Sequence, residues 1–144
     1  MIMVRGATTL KENTKEAIED AMLELWDVLM HANASVFAPE DITMVLFSAT
    51  KDVDAAYPGS FVRLQRGLTE AAILHFNEMA VQGSLPLCLR VLIQAEGDRA
   101  QKATPVYLRG AKKLRPDLNP AALEDDWSDF LNAQRAAQAE GVGF

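Results

Sequence analysis

The sequence predicts an α+β domain in which a mixed five-stranded sheet carries two to three helices. This prediction rests on five segments with the composition of strands, on longer segments with the spacing of amphipathic helices, and on their loose alternation. An apolar content of 49% and a charged content of 24% are typical of a globular protein. The 144 residues are enough for one domain with a sizeable core.

The first part of the chain predicts a strand, a long helix and a second strand. The first strand covers residues 2–9 and the second covers residues 42–48. Asn13, with Glu16 three residues later, has the pattern of a helix N-terminus, and the helix is expected to run to about residue 32. An apolar stripe that would lie on a sheet is formed by Ile18, Met22, Leu25 and Leu29.

The middle of the chain predicts a short helix and three more strands. Pro58 suits the start of a helix over residues 60–66, and Gly67 would end it. The third, fourth and fifth strands are expected over residues 71–76, 87–95 and 106–113, the last with Gly110 as a position for a bend.

The C-terminal segment predicts one more helix. Asn119 and Pro120 have the pattern of an N-cap followed by proline at the first helical position, and the helix would run to about residue 138. Its apolar side can pack on the domain or on a neighbouring subunit, or it can stay partly mobile. A sheet with helices on one face leaves its other face apolar, so other copies of the chain are expected to cover that face.

Net charge, the length of the apolar runs and the cysteine content argue against several classes of function. A net charge of −6 disfavours binding to a nucleic-acid backbone. No apolar run reaches the roughly 20 residues that a membrane helix needs, and the N-terminus lacks the pattern of a signal peptide. One cysteine, Cys88, fits a reducing cytoplasm, and with two histidines it gives too few ligands for a structural zinc site.

The most informative residue is Arg90, which interrupts the apolar run of residues 87–94. This run predicts a mostly buried strand, and an unpaired buried guanidinium is very costly. Either a carboxylate elsewhere in the protein neutralises Arg90, or the site awaits an anionic ligand.

Four other polar groups outside the helices lie in apolar surroundings: Arg5, Glu78, Tyr107 and Arg115. Guanidinium groups bind carboxylates in a bidentate manner and stay charged, so three arginines suit a small dianion. Glu78 can accept a hydrogen bond from a hydroxyl group, and Tyr107 can donate one to a carboxylate. Since no catalytic triad, P-loop or dinucleotide fingerprint is present, chemistry by positioning and electrostatics suits these residues.

A family resemblance is carried by groups of residues that follow in order along the chain. They are MVRGATTL at 3–10, SAT at 48–50, FVRLQRG at 61–67, NEM at 77–79, CLRV at 88–91, VYL at 106–108 and LRPDL at 114–118. Together they resemble the monofunctional AroH-type chorismate mutases. The organisation predicted is a chorismate mutase-like domain over residues 1–118 and a C-terminal helical extension over residues 119–144.

The resemblance implies a pseudo-α/β barrel assembled as a homotrimer, with active sites in the clefts between adjacent subunits. It implies the conversion of chorismate to prephenate in phenylalanine and tyrosine biosynthesis. This is a one-step Claisen rearrangement that needs no covalent intermediate and no cofactor.

The resemblance also implies a role for each candidate residue. Arg90 would contact the ether oxygen and stabilise the negative charge that develops there, and Glu78 would accept the ring hydroxyl. Arg5 and Tyr107 would hold the pyruvyl carboxylate. The pocket would be closed by Tyr57 and Arg63 of the neighbouring subunit, with Arg115 near its mouth.

Three positions depart from the family pattern. Ser60 replaces a lysine, Tyr57 replaces a phenylalanine, and His75 replaces a cysteine that partners the glutamate. His75 is expected to hydrogen-bond Glu78 or the substrate hydroxyl and to make the site sensitive to pH.

Two other functions remain open from the sequence. One is a trimeric deaminase of reactive enamines or imines, against which the surroundings of Glu78 and Tyr107 and the LRPDL stretch argue. The other is a sensor that binds an aromatic dicarboxylate without turning it over, with Ser60 and His75 as marks of lost activity.

Overall fold

The computed structural model describes residues 1–114 and 122–139, which form one mixed sheet with helices packed on it. The five strands are β1 (Ile2–Thr9), β2 (Ile42–Ala49), β3 (Ala72–Asn77), β4 (Cys88–Ala95) and β5 (Val106–Tyr107). They lie in the order β3-β2-β4-β1-β5. β4 runs antiparallel to β1 and β2, whereas β3 is parallel to β2 and β5 is parallel to β1.

Three α-helices and two short 3₁₀ helices complete the described fold, which confirms the predicted fold class. They are α1 (Lys15–Ala32), α2 (Pro58–Gln65), α3 (Ala122–Ala139) and the 3₁₀ turns Pro39–Asp41 and Arg109–Lys113. Within the described part of the chain, no helix has the length and apolar character required to cross a membrane.

The core lies between α1 and one face of the sheet. The predicted stripe of α1 is fully buried and packs in one cluster with sheet residues that include Val45, Leu89 and Ile93. Burying a side chain of this size stabilises the fold by about 1.5–3 kcal/mol. The periodicity of four apolar residues therefore decides which side of α1 meets the sheet.

The start of α1 differs from the prediction by one residue. Thr14 is the N-cap, because its extended backbone (φ −132°, ψ 156°) lets its hydroxyl accept the Ala17 N–H at 3.1 Å. Asn13 instead bridges to the loop before α2. Its side chain donates to the Asp54 carboxylate at 2.6 Å and accepts the N–H groups of Asp54 and Ala55.

The fifth strand is much shorter than predicted. Only Val106–Tyr107 pairs with β1, and the chain then turns at Arg109, whose φ is +53°. The sequence predicts the bend at Gly110, yet the left-handed backbone lies one residue earlier, at Arg109. Arg109 tolerates it because its guanidinium is held on α1 by Asp20 and Glu24, both at 3.1 Å.

The C-terminal helix packs on the body of the domain. The Phe130 ring stacks on His31 of α1 with a centroid distance of 4.3 Å, and Trp127 meets His31 edge-on at 6.0 Å. Arg135 reaches Glu24 of α1 at 3.5 Å. The predicted N-cap, Asn119 with Pro120, lies outside the described residues.

The face of the sheet opposite α1, called the open face below, is largely apolar, as predicted. Strand register places Arg5, Leu92, Leu46 and Leu74 in one row across β1, β4, β2 and β3. Leu74, Phe76 and Met3 are among the exposed large apolar side chains. Nothing within one chain covers this face in the described residues.

Candidate active site

A groove of about 640 Å³ lies on the open face and brings together four of the predicted site residues. Strand register explains the grouping. Tyr107, Ala7, Arg90, Ser48 and Phe76 form one row that crosses all five strands. The row of Arg5 and Leu92 lies beside it, and Glu78 follows directly after β3. Residues from all five strands, far apart in the sequence, therefore meet in one place.

Arg90 lies on β4 as predicted, but it is not buried. The strand alternates, so that Leu89, Val91 and Ile93 face the core while Arg90 faces the groove with 46% of its side chain exposed. Its Nε lies 3.4 Å from Oε1 of Glu78. Both possibilities raised by the sequence thus occur together, because Arg90 has a carboxylate partner and also lines an open groove.

Glu78 is held from three directions. Ser48 donates its hydroxyl to Oε1 of Glu78 at 2.7 Å, and the Glu78 backbone N–H donates to the Ala49 carbonyl at 2.9 Å. Arg90 provides the third contact. This fixed carboxylate accepts hydrogen bonds and partly neutralises Arg90.

Ser48 was not identified as a site residue from the sequence. A signal exists, because Ser48 is the polar residue at the end of an apolar strand and shares its side of the sheet with Leu46. Its partnership with Glu78 depends on the parallel pairing of β2 with β3, and that pairing cannot be read from Ser48 alone.

Arg5 and Tyr107 line the groove from the other side of Arg90. Arg5 is exposed on β1, opposite Leu92 of β4. Tyr107 is buried and packs with Ala7 and Ala111, so its ring is fixed in position. The groove therefore has a rigid aromatic side chain at one end and two guanidinium groups along it.

Cys88 faces the same side of β4 as Arg90, but it is fully buried. Burial raises the pKa of the Cys88 thiol, and the positive charge of Arg90 opposes this effect only in part. The thiol is therefore neutral at physiological pH, as suits a packing role.

Tyr57 and His75 lie in a second depression of about 500 Å³, beyond β2 and beside the loop before α2. The two depressions share Ser48 and Phe76 on their walls. His75 packs on Phe47, and its Nε2 accepts the Gly59 N–H at 3.0 Å. Burial lowers the pKa of His75. Within one chain, His75 is thus engaged with α2, whereas Glu78 is engaged with Ser48 and Arg90.

Two predicted residues lie elsewhere. Arg63 is exposed on α2 and lines neither depression. Arg115 lies outside the described residues, one position after Leu114, which borders the groove.

Comparison with known proteins gives a consistent result. The family model described as chorismate mutase type I matches residues 1–118. Chorismate mutase AroH of Thermus thermophilus is 40% identical over 119 residues, which are 82% of this chain and 96% of that protein. Chorismate mutase AroH of Bacillus subtilis (strain 168) is 35% identical over 117 residues, 81% of this chain and 91% of that protein.

A solved structure, chorismate mutase from Clostridium thermocellum, is similar in fold. It superposes with a TM-score of 0.71 at 35% sequence identity, covering 78% of this chain and 99% of that one.

Proposed function

The chain belongs to the chorismate mutase type I family, and we propose that it converts chorismate to prephenate in the groove around Arg90 and Glu78. It is an isomerase of aromatic amino-acid biosynthesis. The observation that carries the assignment of the site is the position of Arg90. It stands half-exposed in a groove, held by Glu78 and next to Arg5 and Tyr107.

Arg90 is proposed to stabilise the transition state. As the ether C–O bond breaks, negative charge develops on the oxygen, and a fixed guanidinium beside it lowers the barrier. Such a contact is worth about 3–4 kcal/mol when it is removed. Glu78 keeps the guanidinium in place before substrate arrives, so little reorganisation is needed during the reaction.

The other groove residues are proposed to select the reactive conformer. Arg5 and Tyr107 hold the pyruvyl carboxylate, while Glu78 accepts the ring hydroxyl. These contacts bring the two reacting carbons together, and such positioning replaces much of the entropic part of the barrier. The rearrangement is intramolecular, so no nucleophile or proton transfer is needed.

The complete site is proposed to form between copies of the chain in a homotrimer. The groove is open to solvent and lies on an apolar face that a second copy would cover. Tyr57, Arg63 and His75 would come from that second copy, and Arg115 would lie near the mouth of the cleft. Arg63, which lines neither of the two depressions described above, would then face the substrate ring carboxylate.

A cytoplasmic location is also proposed, because the buried free thiol of Cys88 suits a reducing compartment.

The test follows the ultraviolet absorbance of chorismate after purified protein is added. Conversion to prephenate supports the proposal, and Arg90→Ala should abolish most of it. Binding of chorismate without conversion would instead indicate a sensor of aromatic dicarboxylates. If chorismate is neither bound nor converted, a deaminase of enamines is the next function to test.

A further inference from the structure

The first turn of α2 has an unusual cap. The first N–H groups of a helix have no partner within the helix, and a side chain near the start commonly supplies one. Tyr57, at the N-cap position, makes no such side-chain bond. The Gly59 N–H instead donates to Nε2 of His75, which lies on β3, at 3.0 Å. The sheet itself therefore caps α2.

The packing around this bond is tight and specific. The His75 ring stacks on Phe47 with a centroid distance of 5.2 Å and meets Tyr57 edge-on at 5.1 Å. A Cβ atom at Gly59 would lie 2.5 Å from the Phe47 ring and 2.8 Å from Nε2 of His75. Only glycine allows helix and ring to approach this closely.

We propose that His75 is a positioning residue that works in its neutral form. By accepting the Gly59 N–H it fixes the first turn of α2, and so holds Tyr57 at the rim of the site. Protonation of His75 would release that turn. This inference rests on the proposed function, in which Tyr57 closes the site of an adjacent subunit.

The chemistry of the bond sets the direction of the pH effect. Nε2 can accept only when it carries a lone pair, so neutral His75 must hold its proton on Nδ1. A second proton would place two N–H groups face to face at the positive end of a helix. Burial also lowers the pKa of His75. The cap is therefore complete above the ordinary pKa of about 6.5 and is lost as pH falls through the lower pKa of the folded state.

Few charged groups surround His75. Among the described residues lining its depression, the titratable ones are Asp54 and Tyr57, and Asp54 is bonded to Asn13. In the proposed trimer, the groove of a second copy would add Arg5, Glu78 and Arg90. The Gly59 contact itself involves none of these charges.

Two substitutions separate positioning from simple packing. His75→Gln keeps an acceptor near the Nε2 position and removes the titration, whereas His75→Phe keeps the ring and removes the acceptor. We expect the activity of His75→Gln to fall less between pH 8 and acid pH than the activity of the wild-type protein does. We expect His75→Phe to raise KM about tenfold at every pH with a smaller effect on kcat, the loss expected for one hydrogen bond that holds a binding residue.

The decisive measurement does not need catalysis. In an NMR titration of the full chain, with the two histidine signals assigned by His31→Gln, the Gly59 amide shift should follow the His75 ring. In His75→Gln that amide should not move over the same pH range. A Gly59 amide that ignores the His75 titration, or His75→Phe with wild-type KM, would overturn the inference. An absence of chorismate conversion at any pH would overturn the proposed function but not the measured coupling.

Discussion

Arg90 gives the sharpest prediction for a single side chain. Arg90→Ala should lower kcat by about 100- to 1,000-fold with a much smaller change in KM, because the guanidinium is proposed to stabilise the charge that develops on the ether oxygen in the transition state. Steady-state kinetics with chorismate measure both constants. The free energy of unfolding should change by less than about 1 kcal/mol, since the Arg90–Glu78 pair is partly exposed.

A matched control lies on the same strand. Gln94 is on β4 and bonds Thr43, away from the groove, so Gln94→Ala should leave kcat unchanged. Replacing Arg90 with citrulline keeps its shape and removes its charge, and it should be nearly as damaging as alanine. If kcat and KM changed equally in Arg90→Ala, Arg90 would be a binding anchor and not a stabiliser of the transition state.

Ser48 is predicted to act through Glu78. Ser48→Ala removes the 2.7 Å hydrogen bond to Oε1 and leaves the carboxylate side chain held by Arg90 alone. A lost hydrogen bond to a charged group should lower kcat/KM about tenfold. Thr43→Val serves as the control, because the Thr43 hydroxyl on the same strand bonds the Gln94 carbonyl far from Glu78. Equal losses in the two variants would show that β2 as a whole, and not Ser48, is sensitive.

These residues also show what a sequence can reveal about a site. Arg90 could be found because a guanidinium within an apolar run is conspicuous. Ser48 could not, because a serine at the end of a strand is ordinary until register places it beside Glu78. The side on which His75 lies was equally hidden, since both of its neighbours, Leu74 and Phe76, are apolar and either face of β3 would suit them.

Arg109 is predicted to hold the 3₁₀ helix Arg109–Lys113 on α1, and with it the wall of the groove next to Tyr107. Its guanidinium bonds the largely buried Glu24 and the exposed Asp20. Arg109→Ala should lower the free energy of unfolding by about 1–2 kcal/mol, mostly because the largely buried Glu24 carboxylate would then have only the longer contact to Arg135. Chemical denaturation measures this change.

A second substitution at Arg109 separates the cost of its left-handed backbone from the loss of its side-chain contacts. Arg109 has a φ of +53°, which glycine adopts readily and alanine does not. Arg109→Gly should therefore be more stable than Arg109→Ala by up to about 1 kcal/mol. Lys113→Ala on the same 3₁₀ helix is the control. If the alanine and glycine variants were equally stable, the left-handed backbone would carry no cost here.

The elements that matched their predictions are those whose signal is repeated over many residues. The stripe of α1 is defined by four side chains that agree with one another, and the observed bounds of β1 match the predicted residues 2–9. The ends depended on single contacts. Asn13 and Thr14 are both good caps, and only the loop carrying Asp54 decides between them. The end of β5 is set by ion pairs from Arg109 to a helix more than 80 positions earlier.

The whole molecule has one apolar surface that its own helices do not cover in the described residues. The open face carries Leu46, Leu74, Leu92 and Phe76 around the groove. At roughly 25 cal/mol per Å² of apolar surface, covering such a face stabilises an assembly substantially. Because the groove lies within this face, association and catalysis should depend on the same surface. The chain of 15.8 kDa is therefore expected to run as a trimer in light scattering.

Because each active site is proposed to lie between two subunits, trimers assembled from two different inactive variants should recover part of the activity. Arg90→Ala damages the groove, and Arg63→Ala damages the surface that the adjacent subunit is proposed to contribute. In trimers formed by co-expressing both variants in equal amounts, about one quarter of the sites would combine an intact groove with an intact neighbour, because each of the two subunits at a site is the required variant with a probability of about one half. Activity should rise to about that fraction of wild type.

The matched control pairs Arg90→Ala with Arg5→Ala, both in the groove. Every groove in those mixed trimers carries one of the two changes, so no site is intact and activity should stay at the level of the separate variants. Recovery in this pair would place Arg5 and Arg90 in different half-sites. Failure of the Arg63 pair to recover, with trimers present and each variant inactive alone, would show that a single chain builds the whole site.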